Sequence, residues 1–202
     1  MTTARRPVLV LVGAPGAGKT TVGRVLARRL AVGFTDVDEK IVERAGKTIA
    51  DMFLHDGEDA FRALERAVVA DALREVDGVL ALGGGSVLAA ETRRLLRGHR
   101  VVYLSVGLAD GLRRTGMSTA RPLLAGVNPR ATFRALLEAR TPLYREVATV
   151  EVDTNRRSTN QVARMVLAAL AMPAVVDDPG EEVEATPGPD DAVRLPDPTL
   201  RS

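Results

Sequence analysis

Residues Gly13 to Thr20 read Gly-Ala-Pro-Gly-Ala-Gly-Lys-Thr and follow directly on the apolar run from Val8 to Val12. The spacing G-x-x-x-x-G-K-T between a strand pattern and a helix pattern is the signature of a phosphate-binding loop at the start of an α/β fold. Glycine here lets the chain turn so tightly that successive N–H groups face one anion, and the following helix adds the positive end of its dipole. Lys19 is then placed to reach the outer phosphates of a nucleoside triphosphate, with the Thr20 hydroxyl on magnesium. The alternative is a plain glycine turn followed by Lys-Thr, and the strand before and helix after weigh against it.

Apolar runs with β-branched residues recur at Val8 to Val12, Val79 to Leu82, Val101 to Leu104 and Ala148 to Val152, and a shorter strand ends near Thr35-Asp36. Helical patterns separate them at 20–30, 58–76, 92–97, 128–144 and 159–170. This alternation predicts a parallel sheet covered by helices on both faces. With 202 residues, 46% of them hydrophobic, the chain suffices for one such domain.

Charge divides the chain at Pro173. From there to the end lie eight acidic residues and two arginines, six prolines and no apolar periodicity, which predicts a disordered acidic tail over 173–202 and one phosphate-loop domain over 1–172. The body keeps 26 basic and 18 acidic residues, a net charge of +8. Aromatic residues make up 3% of the chain and none interleave with a basic run, so small anionic ligands explain the arginines better than nucleic acid does. Cysteine is absent, which excludes disulfides and thiolate chemistry and fits a reducing compartment. No apolar stretch is long enough to span a membrane. The expectation is a cytoplasmic protein, a monomer, with no nucleic-acid or membrane partner.

Other chemistry-bearing residues lie where strands should end. Asp36 and Asp38 flank Val37 at the end of the second strand, so one carboxylate can stand near magnesium while the other orients or deprotonates an acceptor hydroxyl. Locally, Asp38 reads equally well as the cap of a helix beginning Glu39-Lys40-Ile41. Arg62 reads locally as one half of a surface ion pair with Glu58. Gly83-Gly84-Gly85 after the third strand is either a simple turn or a place where backbone meets ligand. Thr115 to Gly126, bounded by glycines and carrying Arg121-Pro122, is expected to form a lid that brings an arginine to the phosphoryl group in transit. Arg140 precedes Pro142, which is expected to bend or restart its helix, and Arg156 and Arg157 follow the last strand.

In order, these motifs resemble shikimate kinase over about Pro7 to Leu170: Gly13 to Thr20, Asp36-Val-Asp38, Phe61-Arg62-Ala-Leu-Glu65, Gly83 to Gly85, Arg121-Pro-Leu-Leu124, Arg140-Thr-Pro-Leu-Tyr144 and Asp153-Thr-Asn155. The resemblance implies a three-layer P-loop fold with a five-stranded parallel sheet of order 2-3-1-4-5. It also implies transfer of the γ-phosphoryl group of ATP, with Mg2+, to the 3-hydroxyl of shikimate in aromatic amino acid biosynthesis. On it, Asp38 matches the catalytic carboxylate, and Arg62 and Arg140 the clamp on the substrate carboxylate. Gly83, Gly84 and Gly85 match the glycines facing that substrate, while Lys19 and Arg121 match the groups that stabilise the moving phosphoryl. Thr20 would ligate magnesium directly and Asp36 through water. Gly13, Ala14, Pro15, Gly16, Ala17, Gly18, Lys19, Thr20 and Thr21 would hold the nucleotide, with Arg114 and Arg157 beside the adenine. Ser158-Thr159-Asn160 departs from relatives that carry proline there. A gluconate kinase or a non-catalytic nucleotide-binding module remains as an alternative on the phosphate loop alone; the first would need another arginine clamp, and no Asn-Lys-x-Asp guanine motif supports a GTPase form of the second.

Overall fold

Five apolar runs become five parallel strands: β1 (Leu9–Val12), β2 (Phe34–Asp36), β3 (Val79–Ala81), β4 (Val101–Ser105) and β5 (Val150–Asp153), in the order β2-β3-β1-β4-β5. The computed structural model describes residues 7–115 and 128–175. Of the expected lid, only Thr115 is among them; Arg121 and the tail from residue 176 lie outside the described residues. The central strands β1 and β3 are buried throughout and carry no polar residue, as a sheet covered on both faces requires. β5 at the edge, Val-Glu-Val-Asp, is only partly covered.

Eight α-helices among the described residues wrap this sheet: α1 (Lys19–Arg29), α2 (Val37–Ala45), α3 (Ile49–His55), α4 (Gly57–Glu75), α5 (Ala90–Leu96), α6 (Leu108–Thr115), α7 (Pro129–Val147) and α8 (Thr159–Ala169). Leu9, Leu11, Leu26, Ile41, Leu80, Leu104, Phe133 and Tyr144 are fully buried between the layers. Because all strands run the same way, their carboxyl ends open on one side of the molecule, and the loops there carry the phosphate loop, Asp36-Val37-Asp38, Gly83 to Gly85 and Asp153 to Arg157.

The structure departs from the sequence pattern at three points. α3 and α6 are only seven and eight residues long, too short for a clear apolar periodicity, and both fall in stretches where no helical pattern was read. α2 begins at Val37, two residues before the expected start, because Asp36 and not Asp38 is its cap. α7 runs unbroken from Pro129 to Val147 with Pro142 inside it. Proline withholds the hydrogen bond that the carbonyl of Glu138 would receive, but Glu138 is exposed to water, and Phe133 and Tyr144, both fully buried, fasten the helix on either side.

The approach of β2 to β3 is set by two glycines. The Val79 N–H donates to the Gly33 carbonyl at 2.8 Å, and a Cβ at Gly78 would strike that carbonyl, lying 2.7 Å from its carbon and 3.1 Å from the Gly33 Cα. Backbone cannot swing aside as a side-chain tip can. Gly33 itself faces open space. Gly78→Ala should therefore lower stability by about 1–3 kcal/mol in urea unfolding, the usual range for overpacking. Gly33→Ala should be neutral or raise stability by up to about 1 kcal/mol by restricting the unfolded chain. Equal effects at the two positions would contradict this packing.

Candidate active site

Gly18 sits in the left-handed region (φ 86°) as the residue before α1, a conformation that glycine adopts without penalty. It turns the first N–H groups of α1 toward the loop's concave side. The chain closes on itself with Ala17 N–H donating to the Ala14 carbonyl at 3.2 Å. Lys19 Nζ bends back across the loop to the carbonyls of Gly13 at 2.8 Å and Ala14 at 3.1 Å, which fixes the ammonium over the hollow that an anion would fill. Thr20 donates its hydroxyl to Asp36 Oδ2 at 2.7 Å, and Thr21, exposed, follows in the first turn.

Asp36 is buried and uses both oxygens, Oδ2 on Thr20 and Oδ1 on the Asp38 N–H at 3.0 Å. That second bond is the cap of α2, so Asp38 is freed from the capping role. Its Oδ1 lies 2.7 Å from the point where a Cβ on Gly83 would stand, so it touches the backbone of the glycine turn.

The turn Gly83 to Gly85 is crowded from every side. A Cβ at Gly84 would stand 3.2 Å from Pro15 Cδ of the phosphate loop; one at Gly85 would strike the Arg62 guanidinium, 2.8 Å from Nη2 and 2.9 Å from Cζ. Only residues without a Cβ permit these approaches. Arg140, from α7, donates Nη1 to the Gly84 carbonyl at 3.0 Å. Two guanidinium groups thus meet adjacent residues of one turn, and the phosphate loop meets the same turn from its other side.

Arg62 is 16% exposed and bound to Glu58 at 3.2 Å and to Glu65 Oε2 at 2.6 Å. The surface pair expected with Glu58 exists, but the stronger partner is Glu65. Glu65 is 3% exposed, and its other oxygen accepts the Ser86 hydroxyl at 2.7 Å. A buried carboxylate with both oxygens satisfied is a fixed support, and its counter-charge keeps Arg62 in place. Among the described residues, Arg140 makes no ion pair, and its acceptor on the turn is a neutral carbonyl.

At the end of β5 Arg114 donates to Thr154 Oγ1 at 3.0 Å and to the Thr154 carbonyl at 2.6 Å, while Arg157 grips the Asp153 carbonyl at 2.7 Å and its carboxylate at 2.6 Å. The Arg156 N–H and Arg113 hold the Asp110 carboxyl below its ordinary range. Burial raises Asp153, but the Asn155 N–H and Arg157 outweigh it and bring that carboxyl below the ordinary range too. Asn155 Oδ1 accepts the Gly107 N–H at 2.8 Å, which ties the loop after β5 to the loop after β4. Ser158 caps α8 with Gln161 in a reciprocal capping box.

The structure therefore gathers the phosphate loop, Asp36, Asp38, Arg62 and Arg140 around the three glycines, and ties Arg114 and Arg157 to neighbouring residues at the end of β5. Sequence reasoning gave no role to Glu65, Ser86, Thr154 or Tyr144. Glu65, Thr154 and Tyr144 stand inside the motifs that carry the resemblance, and the Arg62-x-x-Glu65 spacing on a helix was the signal available for the first. Among the described residues no three His, Asp or Glu side chains gather to hold an ion unaided, and no helix is long and apolar enough to cross a membrane.

The family model for shikimate kinase matches residues 15–171. A shikimate kinase of Saccharopolyspora erythraea is 67% identical over 149 residues, 74% of this chain and 85% of that protein. One of Thermobifida fusca is 55% identical over 172 residues, 85% of this chain and 98% of that protein. A solved structure of shikimate kinase from Acinetobacter baumannii in complex with shikimate superposes with a TM-score of 0.80 at 39% identity, covering 83% of this chain and 93% of that one. With the phosphate loop and two arginines meeting one glycine turn, and on these matches, the chain belongs to the shikimate kinase family of ATP-dependent kinases.

Proposed function

We propose that this kinase moves the γ-phosphoryl group of ATP to the 3-hydroxyl of shikimate, releasing ADP and 3-phosphoshikimate, and that the residues gathered at the carboxyl ends of β1, β2 and β3 do so in the following roles. The observation that carries this reading is the turn Gly83 to Gly85, touched by Pro15 of the phosphate loop on one side and by Arg62 and Arg140 on the other. A small acceptor bearing a carboxylate, seated against that turn, would have its charge met by two guanidinium groups. Its hydroxyl would lie toward Asp38, which holds the acceptor proton as base or orienting group while the new O–P bond forms and the bond to the ADP oxygen breaks.

Residues 13–21 would wrap the phosphates with backbone N–H groups, and Lys19 would leave the carbonyls of Gly13 and Ala14 for the β- and γ-phosphate oxygens. Thr20 and Asp36 offer the hard oxygen donors that suit Mg2+, Thr20 directly and Asp36 through water, and an ion bound there neutralises phosphate charge. Arg114 and Arg157 would flank the adenine. Thr115 to Gly126 would close over the nucleotide and bring Arg121 to the transferring group, excluding water that would otherwise hydrolyse ATP. The unit that does this is the domain over 1–172, acting as a cytoplasmic monomer, with the acidic residues of 173–202 outside it.

Asp38→Asn keeps the side chain's shape and, since Asp36 is the cap, leaves α2 undisturbed; a coupled ADP-release assay should show turnover reduced about a hundredfold or more. Turnover near the parent's would remove Asp38 from the chemistry. For the clamp, Arg140→Lys loses the planar fork that binds a carboxylate with two hydrogen bonds. Its KM for shikimate should rise roughly tenfold or more, with KM for ATP within about twofold. Equal rises for both substrates would place Arg140 elsewhere in the site.

A further inference from the structure

Three glycines in succession have little to hold their peptides in one orientation, so each carbonyl needs a partner. The Gly83 carbonyl accepts the Ser86 N–H at 3.1 Å and the Gly85 carbonyl the Leu88 N–H at 2.9 Å, both backbone bonds of the 3₁₀ turn Ser86–Leu88. Gly84 is different: its carbonyl is held by side chains of α7, Arg140 Nη1 at 3.0 Å and the Tyr144 hydroxyl at 2.5 Å. These two donors stand one helical turn apart on the same face of α7. A carbonyl oxygen has two lone pairs, so together they fill it.

Tyr144 is built for a fixed position. It is fully buried, and its ring stacks on Tyr103 with centroids 5.0 Å apart and planes at 23°. Burial pushes its phenol above the ordinary tyrosine range, so the hydroxyl stays protonated at neutral pH and remains a donor. Nothing in the phosphoryl transfer described above calls on it.

We infer that Tyr144 is a positioning residue for acceptor recognition: its hydroxyl occupies one lone pair of the Gly84 carbonyl, which fixes the glycine turn and limits Arg140 to the other, leaving the remaining N–H groups of that guanidinium for the acceptor's carboxylate. Without the hydroxyl, the Gly84 peptide gains freedom to rotate and Arg140 can turn more of its fork onto the carbonyl. The inference rests on the proposed role of Arg140 in binding that carboxylate.

The test is steady-state kinetics of Tyr144→Phe, which keeps the stacked ring and removes only the hydroxyl. KM for shikimate should rise roughly five- to tenfold, the worth of one buried hydrogen bond, while KM for ATP stays within about twofold. The carboxamide of shikimate, which lacks the charge that Arg140 would read, should lose much less than shikimate does. In an Arg140→Ala background, Tyr144→Phe should add under about twofold, because coupled residues are not additive. Tyr103→Phe, which removes the neighbouring hydroxyl, should leave both KM values unchanged, and melting curves check that each variant is folded. Where Tyr144→Phe does not fold, Tyr144→Met, a flexible apolar side chain with no N–H or O–H donor, takes its place under the same outcomes. A raised KM in Arg140→Ala with an unchanged KM in Tyr144→Phe would overturn the positioning role alone. An unchanged KM in Arg140→Ala would overturn the carboxylate reading and this inference with it, and equal losses for shikimate and its carboxamide would mark Tyr144 as merely structural.

Discussion

Close contact across the Gly83 to Gly85 turn is the constraint on which the rest of the site depends. Asp38 reaches it from the amino end of α2, Arg62 from α4, Pro15 from the phosphate loop, and Arg140 with Tyr144 from α7. A Cβ at any of the three positions would occupy space that one of these groups already fills. Glycine is therefore demanded here chiefly by what approaches the turn; Gly85 itself has φ −100° and ψ −10°, a backbone that any residue can adopt.

The parallel sheet makes that meeting possible. Register of β1 with β3 (Leu11 with Ala81) and of β2 with β3 (Asp36 with Ala81) brings the ends of three strands level, so residues distant in sequence arrive at one edge. Charge then fixes what packing has gathered. Glu65 sits buried between Arg62 and Ser86, and removing either oxygen's partner would leave a carboxylate in the interior, which typically costs several kcal/mol. Arg62 is consequently held in one place before any acceptor arrives, and a preorganised cation loses less on binding than a mobile one.

Much of this was legible in the chain. Gly13 to Thr20, with the apolar run before it and the helix after it, carried the phosphate loop in contiguous residues, and alternation of apolar strands with helices carried the sheet. Asp36 and Asp38 were placed correctly at a strand end but their duties were ambiguous, because a cap and an acceptor-binding carboxylate look alike until the helix start is known. The bond of Glu65 to Ser86 and that of Tyr144 to Gly84 were beyond local reading: the partners stand 21 and 60 residues apart, and only the folded sheet reveals the contacts. Pro142 misled in the opposite direction. Its local tendency to break a helix lost to the burial of Phe133 and Tyr144 on either side. Strand order was implied by family resemblance and could not have come from composition.

The central claim is that an open Cβ position on the turn lets Arg62 lie where an acceptor's carboxylate can meet it. Calorimetric titration of Gly85→Ala with shikimate, and separately with a non-hydrolysable ATP analogue, tests it most directly. The new methyl group meets the Arg62 guanidinium rather than backbone, so the protein should still fold, with a loss of stability set by how far the guanidinium is pushed from Glu65. Shikimate affinity should fall by roughly tenfold or more, the effect of misplacing one charge-assisted contact, with nucleotide affinity unchanged. Shikimate affinity within about twofold of the parent's in the folded variant would contradict the account.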